Sequence, residues 1–240
     1  MPRGGLAPKP TPETLEAIFS HRGWLSDAPQ ALRSRLLSLA SPMDVPKGDR
    51  LFARGDSPGG IYGVVSGGIG LEASARGHPL RIGHIVRRGA WFGEGPVLLG
   101  ADRYLGALAM EDSVVLHLPL DVIQAEVKQD AEMQVMLGKL SQLNVIVTAW
   151  VACDLLIPEA PRRIAAVLLR VTGVLDGVTP QHRHGFALNQ ALLGELANAS
   201  RVHVNRVLRQ LAEMRLITKH YNHLNVIDPE GLARFAYSED

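Results

Sequence analysis

The sequence predicts an α+β chain in three parts: an antiparallel β-sandwich or barrel, one long helix, and a C-terminal winged helix-turn-helix. Three observations carry this. Between Leu51 and Leu118 short apolar pieces are punctuated by glycines. Between Pro119 and Pro158 there is no proline and an apolar heptad runs along the later part. After Pro158 the apolar period switches between helical and strand-like in the order helix, strand, helix, turn, helix, hairpin, helix.

The bulk numbers set the frame. A chain of 240 residues, 46% hydrophobic and 20% charged, can bury a real core as one large domain or two ordinary ones. A net charge of +1 excludes nothing, so any charge signal is local. Such a signal lies between Gln181 and Leu224, where six Lys or Arg face two Glu beside five His, which suits a polyanion. The single cysteine, Cys153, leaves no intrachain disulfide framework or cysteine metal cage and fits a reducing compartment. The opening "MPRGGLAPKPTPETLEAIF" has no signal-peptide core, and no segment approaches the ~18 apolar residues of a membrane span. The expectation is a cytoplasmic protein, with no membrane partner and with residues 1–20 as a disordered tail.

The elements follow in order. "APQALRSRLLSLASPMDV" places Leu32, Leu36, Leu37 and Leu39 at near-helical spacing, so a short helix is expected against the sheet. "LFA", "IYGVV", "GIGLEA", "LRIGHIV" and "SVVLHLP" read as strands, and residues 21–128 form the first domain. Residues 129–157 form the long helix. Its heptad runs Met133, Met136, Leu140, Leu143, Val147, Trp150, Asp154, Ile157, with Asp154 the polar exception. Off the seam Val145, Ile146, Ala149, Val151 and Ala152 are also apolar, so one face can meet its own sheet while another meets a second copy in a two-fold dimer.

Residues 158–240 carry the winged helix-turn-helix. "APRRIAAVLLRVTG" is a helix with Ile164, Val167, Leu168 and Val171 on one face and Gly173 as its stop. "GFALN" is a short strand ending at Asn189, an N-cap for "QALLGELANAS", with Asn198 at the turn in a left-handed backbone. "ANASRVHVNRVLRQL" shows Val202 and Val204 at period two, but Val204, Val207, Leu208 and Leu211 at period 3.6. The helix accounts for Ser200 as N-cap and gives every apolar residue from Leu192 to Leu216 one shared core. "RLITKHYNHLNVID" is a hairpin with its tip at Tyr221 to His223, and Asp228 with Pro229 opens a last helix.

A second helix in this position lies in the DNA major groove with its N-terminal residues at the base edges. Arg201 and Arg206 then offer forks to guanine, Asn205 pairs with adenine, and Val202 meets a thymine methyl. Ser200, His203 and Arg209 are assigned to phosphates, and the cap Asn189 completes the DNA-binding set.

With these residues in place, the sequence resembles the cAMP-receptor/FNR family of bacterial transcription regulators along nearly all of the chain after residue 20. "VPKGDRLFARGDSPGGIYGVVSGGIGL" resembles the opening of that family's cyclic-nucleotide-binding-like β-roll. "GAWFGEGPVLLGADRYLGALAMEDSVVLHLP" resembles the segment around its effector pocket, and "LGELANASRVHVNRVLRQLAEMRLI" resembles its helix-turn-helix. The resemblance implies a homodimer joined through the long helix, a palindromic double-stranded DNA site, contact with RNA polymerase, and a small effector. The effector set it points to is Gly93, Glu94, Arg103, Tyr104 and Thr148. Gly93 and Glu94 match the family's Gly-Glu pair, and Arg103 falls one residue early. Tyr104 stands where a serine is usual, and Thr148 is followed by Ala149 rather than serine. Cyclic AMP is therefore not the favoured effector, and a different small molecule or an empty pocket are the alternatives. Cluster and haem sensing are disfavoured, the first by the lone cysteine, the second because His78, His84 and His117 read as structural or exposed. Val202 replaces the glutamate of cAMP-type regulators, so the operator should differ from theirs, and Met214 and Arg215 occupy a turn where glycine is usual.

Two competing readings stand beside this one. The winged helix can contact protein instead of DNA, or the chain can be an enzyme using Glu94 with Arg103, or His182 with His184. Neither histidine has a third ligand or a partner carboxylate at useful spacing, so no enzyme, no catalytic residue and no metal site are expected.

Overall fold

The computed structural model describes residues 10–74, 78–180 and 184–238. In chain order it contains α1 (Pro12–Phe19), α2 (Gln30–Leu39), β1 (Ser41–Val45), β2 (Arg50–Phe52), β3 (Gly60–Ser66), β4 (Gly68–Ala73), β5 (Arg81–Arg87), β6 (Trp91–Phe92), α3 (Glu94–Leu99), β7 (Gly106–Ala109) and β8 (Ser113–Pro119). Then follow α4 (Leu120–Gln129), α5 (Ala131–Leu156), α6 (Ala160–Thr172), β9 (Phe186–Ala187), α7 (Gln190–Leu196), α8 (Arg201–Glu213), β10 (Ile217–His220), β11 (His223–Val226) and α9 (Pro229–Tyr237). This is the α+β order expected: antiparallel sheets, a long helix, a winged helix-turn-helix.

The chain divides into two compact units, one of Met1–Ile69 with Arg88–Asn144, the other of Gly70–Arg87 with Val145–Asp240. In the first, an antiparallel sheet runs β1-β8-β3-β6, and β2 pairs with β7. The register sets Tyr62 opposite both His117 and Phe92. Against this sheet, which itself contributes Trp91 to the core, pack Phe19, Trp24, Leu36, Ile123, Met133, Met136 and Leu140, all buried. Trp24 meets Trp91 edge-on at 5.4 Å and donates its indole N–H to Met136 O at 2.5 Å, so a buried polar group is satisfied where aromatic burial is largest.

Three expectations change here. The predicted tail does not reach residue 20, because Pro12–Phe19 is a helix capped by Thr11, whose Oγ1 accepts from Thr14 N, and it buries Leu15, Ile18 and Phe19. Residues 1–9 lie outside the described residues. The long helix, expected over 129–157, spans Ala131–Leu156, because Asp130 is extended (φ −141°) and its Oδ1 accepts from Glu132 N at 3.0 Å to start α5, with α4 ending just before it. Finally, α5 meets the length and composition of a membrane span, with mean hydropathy 1.4 over an 18-residue window. Single polar residues break up the run, which hid this in the sequence.

The second unit differs from the predicted boundaries because β5 and the part of β4 from Gly70 onward, which pair, belong to it. Polar ties hold them there. Arg87 on β5 donates to Val171 O at 2.8 Å and lies over the Phe186 ring, and Arg170 on α6 reaches Gly83 O and His84. Ile164, Val167, Leu168 and Val171 are all buried on α6, and Gly173 closes that helix at φ 68°, as the period predicts. Asp154 departs from its heptad role. It is buried in its own unit, paired with Arg170 Nε at 2.6 Å and accepting from Tyr237 O–H at 3.1 Å. Burial, followed by the Asp154 charge, raises the Tyr237 pKa above its usual phenol range, so that hydroxyl stays protonated. Ile157 lies past the end of α5.

Removing one member of a buried ion pair strands the other. Asp154→Ala is therefore expected to cost about 3 kcal/mol of stability, read as a lower denaturant midpoint in equilibrium unfolding. A change under about 0.5 kcal/mol, the ordinary surface range, would contradict the pair's role.

Candidate effector site and nucleic-acid interface

In the first unit Gly93, Glu94 and Arg103 converge. Gly93 has φ 98°, open to glycine at no steric cost, and begins α3. A Cβ there would sit 3.2 Å from Arg103 Nη1 and 3.3 Å from Gly60 O, so the missing side chain is space that the guanidinium uses. Arg103 is 3% exposed. Its carbon Cζ lies 3.8 Å from the Phe52 ring centre and 5.6 Å from that of Tyr62, and Nη2 donates to Gly60 O at 3.1 Å. Its Nη1 is buried without a hydrogen-bond partner among the described residues. Burial lowers the Arg103 pKa from its ordinary value, with Tyr62 and Asp56 acting in the opposite sense, yet a guanidinium remains a cation at neutral pH. A buried cation with an open N–H is a place for an anion.

Glu94 is also buried, and its Oε2 accepts from Asn144 Nδ2 at 2.9 Å, while the same amide reaches Trp91 O at 3.3 Å. Tyr104 does not fill space beside Arg103: its side chain is 61% exposed. Thr148 is an exposed residue of α5 in the second unit. Sequence reasoning did not find Phe52, Tyr62 or Asn144. No spacing links them to Arg103, and only the pairing of β3 with β6 and β8 brings Tyr62 to face Phe92 and His117. His117 stacks on Tyr62 at 4.8 Å, with Nε2 2.9 Å from Gly59 O, and is thus engaged structurally.

In the second unit the helix-turn-helix is built by its caps. Asn189 Oδ1 accepts from Leu192 N at 2.8 Å to open α7. At the other end Ala199 N bonds to Gly194 O and Asn198 N to Glu195 O, with Asn198 at φ 46°, the paired closure that ends a helix on a left-handed residue. Ser200 then caps α8, accepting from His203 N at 3.3 Å. Val204, Val207, Leu208 and Leu211 are buried. That leaves Arg201, Val202, His203, Arg206 and Arg209 exposed, Val202 to 80%. Asn205 is half-buried, and its Oδ1 accepts from Gln190 Nε2 at 2.9 Å, so it does not present both halves of its amide as expected. α8 ends with the same paired closure as α7, Leu216 N to Leu211 O and Arg215 N to Ala212 O, with Arg215 at φ 59° where glycine was missed. The wing is β10 and β11, with a tip at Tyr221 and Asn222 because His223 already belongs to β11. His184 packs its ring 4.8 Å from that of His220. His182 lies outside the described residues. Among the described residues no group of three or more His, Cys, Asp or Glu is placed to hold a metal ion.

Known domain families match both parts of the chain. Residues 42–130 match the cyclic nucleotide-binding domain and residues 162–235 the Crp-like helix-turn-helix domain. The Cyclic AMP receptor protein of Thermus thermophilus is 30% identical over 171 residues, covering 70% of this chain and 75% of that protein. The chain belongs to the cAMP-receptor/FNR family. It is accordingly an effector-controlled, DNA-binding transcription regulator. The CRP-like cAMP-activated global transcriptional regulator of Mycobacterium tuberculosis is 23% identical over 225 residues, covering 92% of this chain and 100% of that relative. The structure of FixK2 from Bradyrhizobium japonicum shares the fold at TM-score 0.69 and 17% identity, covering 84% of this chain and 99% of that one. Arg103, one residue early against the pattern of the cAMP-receptor/FNR family, has its guanidinium beside Gly93.

Gly194 tests the turn. A Cβ there would lie 2.7 Å from Ala199 O, so Gly194→Ala is expected to destabilise by about 2 kcal/mol through overpacking. A thermal midpoint equal to that of the parent would show that the turn gives way freely.

Proposed function

We propose that this chain is a cytoplasmic homodimer, joined through α5, that places α8 of each copy in the major groove of a palindromic site and acts through RNA polymerase. Arg201 and Arg206 read guanine edges, Val202 meets a thymine methyl, and Ser200, His203, Arg209 and the cap Asn189 hold the phosphates. The observation that carries this is the doubly capped α7–turn–α8 unit, which leaves three arginines of one helix in solvent while its apolar residues are buried. The experiment is selection from a randomised duplex. Arg201→Ala and Arg206→Ala should each lose roughly tenfold or more in discrimination, and affinity should fall steeply with salt as counterions are released. Selection unchanged in both variants would remove these two arginines from base reading, and a parent chain that selects no sequence would transfer the winged helix to protein contacts.

The effector we propose is a small anion-bearing molecule bound by Arg103 Nη1. The open N–H supports this, as does the aromatic wall of Phe52 and Tyr62. Cyclic AMP is disfavoured as the effector. Tyr104 is turned to solvent instead of offering a compact hydroxyl, and Glu94 already accepts from Asn144. Titration with inorganic phosphate, followed by intrinsic tryptophan fluorescence, should perturb the parent and not Arg103→Gln, while cyclic AMP at the same concentration should perturb neither. Identical titrations of the two proteins would remove Arg103 from the effector site.

A further inference from the structure

Asn205 stands on the boundary between the exposed and buried faces of α8. Arg201 and Val202 lie one turn before it, Arg209 one turn after, and the buried Val204 and Leu208 beside it. An asparagine free in the groove offers one acceptor and two donors, the pattern that matches adenine N6 and N7 together. Here the acceptor is already in use. Gln190, the first residue of α7, donates Nε2–H to Asn205 Oδ1 at 2.9 Å. Both ends of this bond are anchored. Gln190 follows the cap Asn189, whose side chain holds Leu192 N, and Asn205 lies on the helix that Ser200 caps.

We infer that Gln190 is a specificity-determining positioning residue: by occupying Asn205 Oδ1 it leaves only the Nδ2 donors for the groove, so that Asn205 selects guanine, with its O6 and N7 acceptors, over adenine. The inference rests on the reading of α8 as the base-contacting helix. It assigns a function to a side chain of the preceding helix that touches no base.

The test is selection of bound sites from a randomised duplex by the full chain and two variants. Gln190→Leu frees the whole amide, and the preferred base at one position of each half-site moves from guanine to adenine. Gln190→Glu offers only acceptors, so it captures Nδ2 and turns Oδ1 toward the groove. That favours bases with an exocyclic amine, adenine N6 or cytosine N4. Each change is expected to be roughly tenfold in relative affinity at that position, with other positions unchanged. A pair that merely braces the two helices would lower stability and leave the selected bases as they were. That result, the same consensus from all three proteins, overturns the inference while leaving the DNA-binding reading intact. A parent chain that selects no sequence overturns both.

Discussion

One guanidinium joins the end of the long helix to the turn of the helix-turn-helix. Arg163 on α6 donates from Nη1 to Ile157 O at 2.5 Å and Pro158 O at 3.1 Å, and from Nε to Ala197 O at 2.8 Å, with Nη2 at 3.5 Å from Asn198 O. The first two carbonyls follow the last residue of α5, and the other two are the cap and the left-handed residue of α7. Carbonyls at helix ends lack partners within the helix and carry the negative end of its dipole. A planar fork with five donors can satisfy several of them at once, whereas the three donors of a lysine radiate from a single point. The stretch Leu156 to Pro161 looks like a hinge in the sequence because two prolines interrupt it. With Arg163 in place, its first residues are clamped to the turn that launches α8. A displacement of the α5 end is then passed to the recognition helix through hydrogen bonds, with no need for a change within α8 itself. Ser200, the cap of α8, stands only two residues beyond Asn198, so the exposed side chains of α8 inherit their orientation from this junction.

The parts of the fold legible in the sequence were those where period and punctuation agree. α6 shows an apolar face and a glycine stop, and α8 a serine cap and four apolar residues at helical spacing; both fold as they read. The strands that escaped notice had no period to show. β1 is an edge strand containing Pro42, with four of its five residues exposed, and an edge tolerates both. β6 has two residues and β7 reads Gly-Ala-Leu-Ala, too short and too small for alternation to appear. α1 was hidden by its neighbours, since the Pro and Gly before Thr11 suggest disorder until Leu15, Ile18 and Phe19 are seen to have a core to enter.

The two sites differ in legibility for a related reason. The helix-turn-helix is contiguous, so its caps and exposed arginines stand in the order in which they are used. Only the Gln190–Asn205 bond, spanning fifteen positions, required the packing of α7 on α8. The surroundings of Arg103 come from scattered elements: Phe52 from β2, Tyr62 from β3, Gly93 at the start of α3, with Asn144 of α5 holding Glu94 nearby. Spacing along the chain can flag a glycine, a glutamate and an arginine. It cannot show that the arginine lies over aromatic rings with one nitrogen left open, and it is on that arrangement that the proposed anion site rests.

The long helix poses the remaining question, since its composition suits either lipid or a second protein surface. Its first turns are already spoken for, because Met133, Met136, Leu137 and Leu140 are buried in the first unit's core, opposite exposed Gln134 and Lys139. Val135 is exposed as well, but it stands alone between Gln134 and Met136, and the run of exposed apolar residues extends from Leu143 to Leu156. At about 1.5 Å per residue this stretch is roughly 21 Å long, well short of the ~30 Å hydrocarbon core. It also carries Asn144, engaged with Glu94, and Asp154, engaged with Arg170 and Tyr237, so neither is free to pair elsewhere if the helix entered lipid. Leu143, Val147 and Trp150 keep the four-and-three spacing of a coiled-coil seam, and the inward turn of Asp154 ends that seam where the Arg163 junction begins. That short seam, three positions over eight residues, suits the same helix from a second copy in the proposed homodimer, where the contact would set the spacing of the two α8 helices only a few residues from the clamp beside each of them.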